Sequence, residues 1–425
     1  MIRRPRFVTR SIPGRTPSGT WALYETADRM LSSRREPFLI TETNAQAIGP
    51  AWVNEPAHDG QWRQAAWALV SRGATMIEYW HWHTLHFGAE TSWGGILPHS
   101  SEPGRVYRQL ADLGAEFDRA GGLVASLCPD ADVALIYSTD TKWSLEGAPM
   151  LHGESGEPDR RSYRAIFDAF YRGVFDAGLQ ARIVHPSQVF AQDSDPPSFA
   201  ARHPVLIAAG LLIASDAQLT WLDRYAAAGG HLVLGILTGY GDEEARARVE
   251  RKPAFLTTAA GVWYDEFSTI DAPLPVRSVA GSVLKLPADA HATRWIDGLQ
   301  ADDAEVLVEY QHPHFSRWPA VTTRPHHAGR VTYVGTVPDL RLASSLARWL
   351  VHDPADAWRR ASPTQTVTGA TAGDGAKLRF VHNWSWEPSA FRLPSSVRDG
   401  LSGQELEAGA ELALGAWDVR VLVER

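Results

Sequence analysis

Hydrophobic and polar positions change period several times along the 425-residue chain, and each change marks an element. Apolar residues recur at helical spacing over 20–34, which predicts a helix. Pro37 then opens the short apolar run Phe38-Leu39-Ile40-Thr41-Glu42, read as a buried strand with a carboxylate at its carboxyl end. A loop holding Gly49, Pro50, Pro56 and Gly60 leads to a second helix over 61–72, stopped by Gly73, and then to a strand over 74–82. Strand, loop, helix and strand make a βαβ unit. A polar and aromatic loop runs from His83 to about Pro103, before an amphipathic helix over 105–119. Loops at the carboxyl ends of strands are where α/β folds carry their sites.

Beyond Gly121 a new alternation begins. Strands are predicted at 132–137, 181–185, 204–208 and 231–236, with helices at 160–177 and 216–228 between them. The pattern predicts a doubly wound α/β domain of flavodoxin-like or amidotransferase-like appearance. From Val262 to Val334 the runs shorten and become β-like, as at 305–310 and 330–334, and a helix over 339–351 closes the block. After Thr366 only strand-like pieces remain, at 377–382, 390–393 and 419–424, which predict a small all-β terminal domain.

Composition narrows the class. Hydrophobic residues at 44% and charged residues at 21% are ordinary for a globular protein. A net charge of -8 with a pI near 6.1 argues against a nucleic-acid partner, which would need a basic face. A single cysteine, Cys128, excludes an internal disulfide and a Cys-rich zinc site. No apolar run approaches 18–20 residues, and the Arg-rich start has no hydrophobic stretch after it. The expectation is a cytoplasmic protein without a membrane partner. The outlying number is 17 tryptophans, which suit either thick cores or surfaces on which sugar rings stack. Eight of them fall in the first 143 residues.

Candidate chemistry gathers in the same region. Glu42 stands where a parallel strand ends, the place from which a carboxylate reaches the mouth of an α/β barrel; a surface or N-cap carboxylate is the alternative. Glu90 closes a stretch dense in rings (Tyr79, Trp80, Trp82, Phe87) and precedes Trp93. A carboxylate among rings holds sugar hydroxyls while the rings stack on the C–H face, though a loop glutamate over an aromatic cluster would look the same. His81 and His83 share a strand face and, with His86 or His99, form a metal option, against which simple hydrogen bonding is the preferred reading. No metal is assigned. Asn54-Glu55-Pro56 looks like the acid/base tripeptide of sugar-cleaving barrels, but it falls in the loop after Trp52 and is read as coincidence. An amidotransferase needs a nucleophilic Cys at a strand-to-helix turn, and the turn reads Ala208-Ala209-Gly210-Leu211. The pairs His326-His327, Asp302-Asp303 and Glu243-Glu244 read as solvated surface.

With these residues in view, the chain resembles glycoside hydrolase family 42, the β-galactosidases. The carrying segments are Pro37 to Glu42, the run from Gly73 through Tyr79-Trp80-His81-Trp82-His83 to Glu90, then Trp263-Tyr264-Asp265-Glu266-Phe267 and Tyr333-Val334-Gly335-Thr336. The resemblance implies an α/β chain in three parts. Residues 1–125 would be the C-terminal part of a TIM (β/α)8 barrel, 126–355 an amidotransferase-like oligomerisation domain, and 362–425 a small antiparallel β domain. It implies retaining hydrolysis of terminal β-D-galactosides without a cofactor, in a homo-oligomer that in this family is a trimer. Glu42 takes the nucleophile's position, and Trp52 and Glu90 those of substrate-binding residues. Trp93 stands where the family often has a histidine. The family's acid/base glutamate follows the fourth barrel strand, and nothing before Arg35 reads as one, so the chain by itself is expected to be inactive. Two other readings stay open: a non-catalytic carbohydrate-binding or assembly protein, and a hydrolase of a related sugar such as an α-L-arabinopyranoside.

Overall fold

A computed structural model describes residues 19–54, 56–153, 155–351 and 357–425. The chain divides into two compact units, one made of 1–130 with 355–425 and the other of 131–354. The first and last segments thus fall in one unit.

In the first unit, helix α1 (Thr20–Ser32) leads to strand β1 (Phe38–Asn44), helix α2 (Gln61–Ser71), strand β2 (Ala74–Trp80) and helix α3 (Arg105–Ala120). Strands β1 and β2 pair in parallel as a two-stranded sheet. The expected burial of β1 holds only for Ile40; Leu39 is 54% exposed. Period-2 alternation explains this, since the face carrying Ile40 is buried while Leu39 points the other way. Helix α2 buries Trp62, Ala66, Trp67, Ala68, Leu69 and Val70, and it can do so on nearly every side because its polar members are paired too. Gln64, fully buried, donates to the carbonyls of Asn383 at 2.6 Å and Asp418 at 2.8 Å. Arg63 bridges Glu116 and Asp418, each at 2.8 Å. Trp67 packs edge-on to Phe117 and beside Phe380, its indole N–H donating to Glu116 at 3.0 Å. Buried Asp28 on α1 meets buried Arg72 just after α2 at 2.6 Å.

The C-terminal segment is all β, as its strand-like pieces predict. Six short strands pair antiparallel in the order 405–406, 397–399, 418–424, 377–383, 365–371 and 128–129, and a hairpin-like pair, Ser389–Arg392 with Glu411–Leu414, lies beside them. The strand at Cys128–Pro129 joins this sheet, not the alternation that follows it. His382 is buried between these strands and α2, stacked on Trp384, and burial lowers its pKa to about 3.

The second unit is built on an eleven-stranded mixed sheet. Its parallel part runs Ala181–Val184, Val133–Ile136, Val205–Ala208, His231–Gly235, Gly329–Val334. Two of these strands, Val133–Ile136 and Val205–Ala208, are buried at every position, as strands covered on both faces must be. The sheet continues antiparallel through Pro319–His326, Glu305–Tyr310, Leu274–Ser278, His291–Asp297 and Thr336–Pro338. Asp297 is wholly buried there and accepts hydrogen bonds from Trp295 Nε1 at 2.7 Å and Tyr333 Oη at 2.9 Å; burial raises its pKa to about 7. His326 departs from its expected surface position: it is buried, its Nε2 2.9 Å from the Asp223 carboxylate. Among the described residues no helix is long and apolar enough to cross a membrane.

Candidate active site

Glu42 owes its setting to an irregularity in β1. The register runs Ile40↔Ile77 and then Thr43↔Tyr79, so Thr41 and Glu42 together face the single residue Glu78. A bulge of this kind re-aims a side chain and is common beside active sites. Glu42 is exposed, and so is Glu78. Ile77 and Tyr79 pack against the cluster around Trp67, and alternation therefore puts Glu78 on the opposite face with Trp80. Glu78 was not singled out from the sequence; only the register of the bulge makes it visible.

The segments leaving β1 and β2 are sewn together. Ala45 N–H donates to the Trp80 carbonyl at 3.0 Å, Gly94 N–H to Ala47 at 3.2 Å, Ser92 Oγ to Gly49 at 3.2 Å and Gln46 Nε2 to Gly95 at 2.6 Å. The turn Glu90–Trp93, closed by Trp93 N–H donating to the Glu90 carbonyl at 3.0 Å, is thereby held against the chain that follows Glu42. Gly94 and Gly95 permit this. A Cβ on Gly94 would sit 2.5 Å from the Gln46 side chain, and one on Gly95 2.6 Å from the His83 backbone. Thr84 Oγ1 adds a buried bond from Gly95 N–H at 3.0 Å. Gln46, Ser92 and Thr84 were missed in the sequence, where the Gly94-Gly95 pair was the available signal of a close approach.

Among the predicted residues, Trp52 stands on a single 3-10 turn, Ala51–Val53, and is 85% exposed. Glu90 and Trp93 are half-buried in one turn. Strand β2 ends at Trp80, so His81 and His83 lie in the loop rather than on the strand. His81 Nε2 donates to the Trp93 carbonyl at 3.3 Å and His99 Nε2 to the Leu85 carbonyl at 3.0 Å. The His81, His83, His86 and His99 rings follow one another at centroid spacings of 6.5, 6.2 and 5.6 Å. Among the described residues no three His, Cys, Asp or Glu side chains converge to hold a metal. Glu55 of the Asn-Glu-Pro tripeptide lies outside the described residues.

The segment carries two carboxylates, Glu42 and Glu90, and two indole rings, Trp52 and Trp93, the groups that bind saccharides. The model of a β-galactosidase trimerisation domain matches residues 131–357, more than half of the chain. The chain belongs to the β-galactosidase family, glycoside hydrolase family 42. Two further models of this family match in order, β-galactosidase over 9–120 and the β-galactosidase C-terminal domain over 368–424. The chain is 27% identical over 314 residues to β-galactosidase BgaB of a Geobacillus species, covering 73% of this chain and 44% of that one. It is 27% identical over 413 residues to β-galactosidase Bga of Halorubrum lacusprofundi, covering 92% and 55%. It spans about half the length of these family 42 relatives. Among solved structures, the β-galactosidase of Bacillus circulans sp. alkalophilus matches with a TM-score of 0.85 at 20% identity, over 98% of this chain and 59% of that one. That of Rahnella sp. R3 matches equally, over 99% and 59%. The fold of these structures is therefore shared over 98% or more of the chain.

Proposed function

We propose that this chain carries the nucleophile side of a retaining β-galactosidase site. In this reading residues 1–125 are the C-terminal part of a (β/α)8 barrel, 126–355 the amidotransferase-like oligomerisation domain and 362–425 the terminal β domain. The observation that carries it is the bulge at Glu42 near the end of a parallel strand, with the turn Glu90–Trp93 pinned to the chain that follows that strand. Glu42 attacks the anomeric carbon of a terminal β-D-galactoside, the C–O bond to the aglycone breaks, and a galactosyl ester forms on Glu42. Glu90 holds ring hydroxyls, and Trp52 and Trp93 stack on the C–H face. The leaving oxygen needs a proton from a second carboxylate about 5–5.5 Å from the nucleophile, which later activates water. No residue of this chain is assigned that role, so ordinary galactosides are turned over slowly or not at all by the 425-residue chain alone. A chromogenic β-galactoside with a poor leaving group tests this, and brisk turnover would overturn it.

Exposure of Glu42, Trp52, Trp82 and Phe87 favours a second reading, a galactoside-binding surface without turnover. Galactose binding with no ester on Glu42 would select it. Comparing a β-galactoside with an α-L-arabinopyranoside decides the sugar, the two differing only in the exocyclic CH2OH. Residues 131–357 are proposed to assemble the chain as a trimer, which sedimentation would register as three times 46.7 kDa.

A further inference from the structure

The loop that carries Trp52 runs on into His58, and there the chain meets the C-terminal β segment in a cluster of rings with no part in the site above. The His58 ring lies 4.6 Å from Trp386 and 4.6 Å from Trp417, and these two indoles meet at 5.6 Å, nearly perpendicular. Trp417 is buried, whereas Trp386 is 48% exposed on the turn between two strands. That turn is rigidly held. Glu387 N–H donates to Ser385 Oγ at 3.0 Å, Trp417 N–H to the Ser385 carbonyl at 3.0 Å, and Asn383 Nδ2 to the Glu387 carbonyl at 2.8 Å. The residue after His58 is Asp59, whose exposed carboxylate accepts from Arg105 at 2.8 Å and from Gln109 through the same oxygen, Oδ1. Oδ2 has no partner among the described residues. Arg105 in turn lies over the Trp62 ring at 5.1 Å, which fixes its guanidinium.

An exposed indole packed on other rings is costly to leave facing water, and one of those rings, His58, is followed directly by the Asp59 carboxylate held by Arg105. It matches a neutral saccharide: the ring stacks on the sugar's C–H face, and the Asp59–Arg105 pair takes hydroxyls as acceptor and donor. Among the described residues the buried Trp417 Nε1 and His58 Nε2 have no hydrogen-bond partner, so the floor of the cluster is short of polar partners as well. The net charge of -8 disfavours a nucleic-acid occupant.

We propose that Trp386, His58, Asp59 and Arg105 form a second saccharide-binding platform, separate in its residues from Glu42, Trp52, Glu90 and Trp93. It would hold the body of an oligosaccharide or polysaccharide rather than its reacting end. The probe is a soluble β-galactan embedded in a native gel, with retardation of the full chain read against galactan concentration. Trp52→Ala, which removes a ring of the candidate active site, is expected to leave most of the retardation. Adding Trp386→Ala to that variant is expected to abolish it, with Trp386→Phe restoring part. Arg105→Gln, which removes the guanidinium but none of the His58, Trp386 and Trp417 rings, is expected to weaken retardation about tenfold. Retardation unchanged by Trp386→Ala and Arg105→Gln, or no retardation of the unaltered chain, would overturn the platform.

Discussion

Gln46 Nε2 donates to the carbonyl of Gly95 at 2.6 Å and so couples the chain leaving β1 to the loop after β2. Without that amide the two segments keep the backbone bonds from Ala45 to Trp80 and Gly94 to Ala47 and the Ser92 Oγ bond to Gly49. Gln46→Ala is expected to leave Gly95 without its side-chain donor and to weaken galactoside binding about fivefold, the worth of one net hydrogen bond of about 1 kcal/mol. Faster amide exchange over 90–97 in the variant checks it; unchanged exchange and affinity would show that the coupling is incidental.

Trp52 makes a contrasting case. At 85% exposure it contributes little to folding, so Trp52→Ala is expected to change unfolding free energy by less than about 0.5 kcal/mol while weakening galactose binding. Denaturant unfolding and calorimetric titration on the same variant separate the two. A large loss of stability would mean that the ring is structural.

The buried pair Asp28–Arg72 should behave in the opposite way. Each group is nearly solvent-free, so Asp28→Ala removes the carboxylate from a buried guanidinium that keeps its contacts to the Asp130 carbonyl at 3.4 and 3.5 Å, and is expected to cost about 3–5 kcal/mol, whereas replacing both with apolar residues costs less. A double-mutant cycle in urea measures the difference.

Much of the fold was legible because periodicity and termination signals agree. The helix over 61–72 and its Gly73 stop, the strand at 305–310 and the alternation from 132 to 236 are all found within a residue or two of their expected ends. The helix Thr139–Gly147 gave no such signal, because only Thr141 and Leu145 are buried along it; its start rests on Ser138 accepting from Thr141 N–H. The site was legible by residue type but not by geometry. Glu42 and Glu90 stood out, whereas the bulge that brings Glu78 opposite Glu42 depends on pairing register, which one strand's sequence does not contain. The tryptophan excess was misleading in part: Trp62 and Trp67, counted near the sugar-binding end, are core residues.

Buried titratable groups give pH slopes of both signs. His382 in the first unit has its pKa lowered to about 3 from an unfolded value near 6.5, so the unfolded state holds more protons between these values. Its contribution to stability is full above about pH 6.5 and is lost as pH falls toward 3. In the second unit His231, also lowered to about 3 by burial, acts with the same sign. Asp297 does the reverse. Raised to about 7, it holds a proton in the folded state that the unfolded chain releases near 4, so its contribution is present at low pH and lost as pH rises through 7. Each group contributes a slope of up to about 1.4 kcal/mol per pH unit. Asp297→Asn is therefore expected to make stability rise more steeply between pH 4 and 6.5, measured by urea unfolding across that range; an unchanged slope would show that Asp297 is ionised in the folded state.

Glu42 as nucleophile is tested most directly by covalent trapping. An activated galactoside, such as the 2,4-dinitrophenyl β-galactoside, leaves without a proton, so a chain lacking the acid/base still forms the galactosyl ester and cannot readily hydrolyse it. Peptide mass spectrometry after brief exposure should find one galactosyl group on the peptide holding Glu42, absent in Glu42→Gln and discharged by azide. A galactosyl group on another carboxylate, or none on the intact chain, would contradict the assignment.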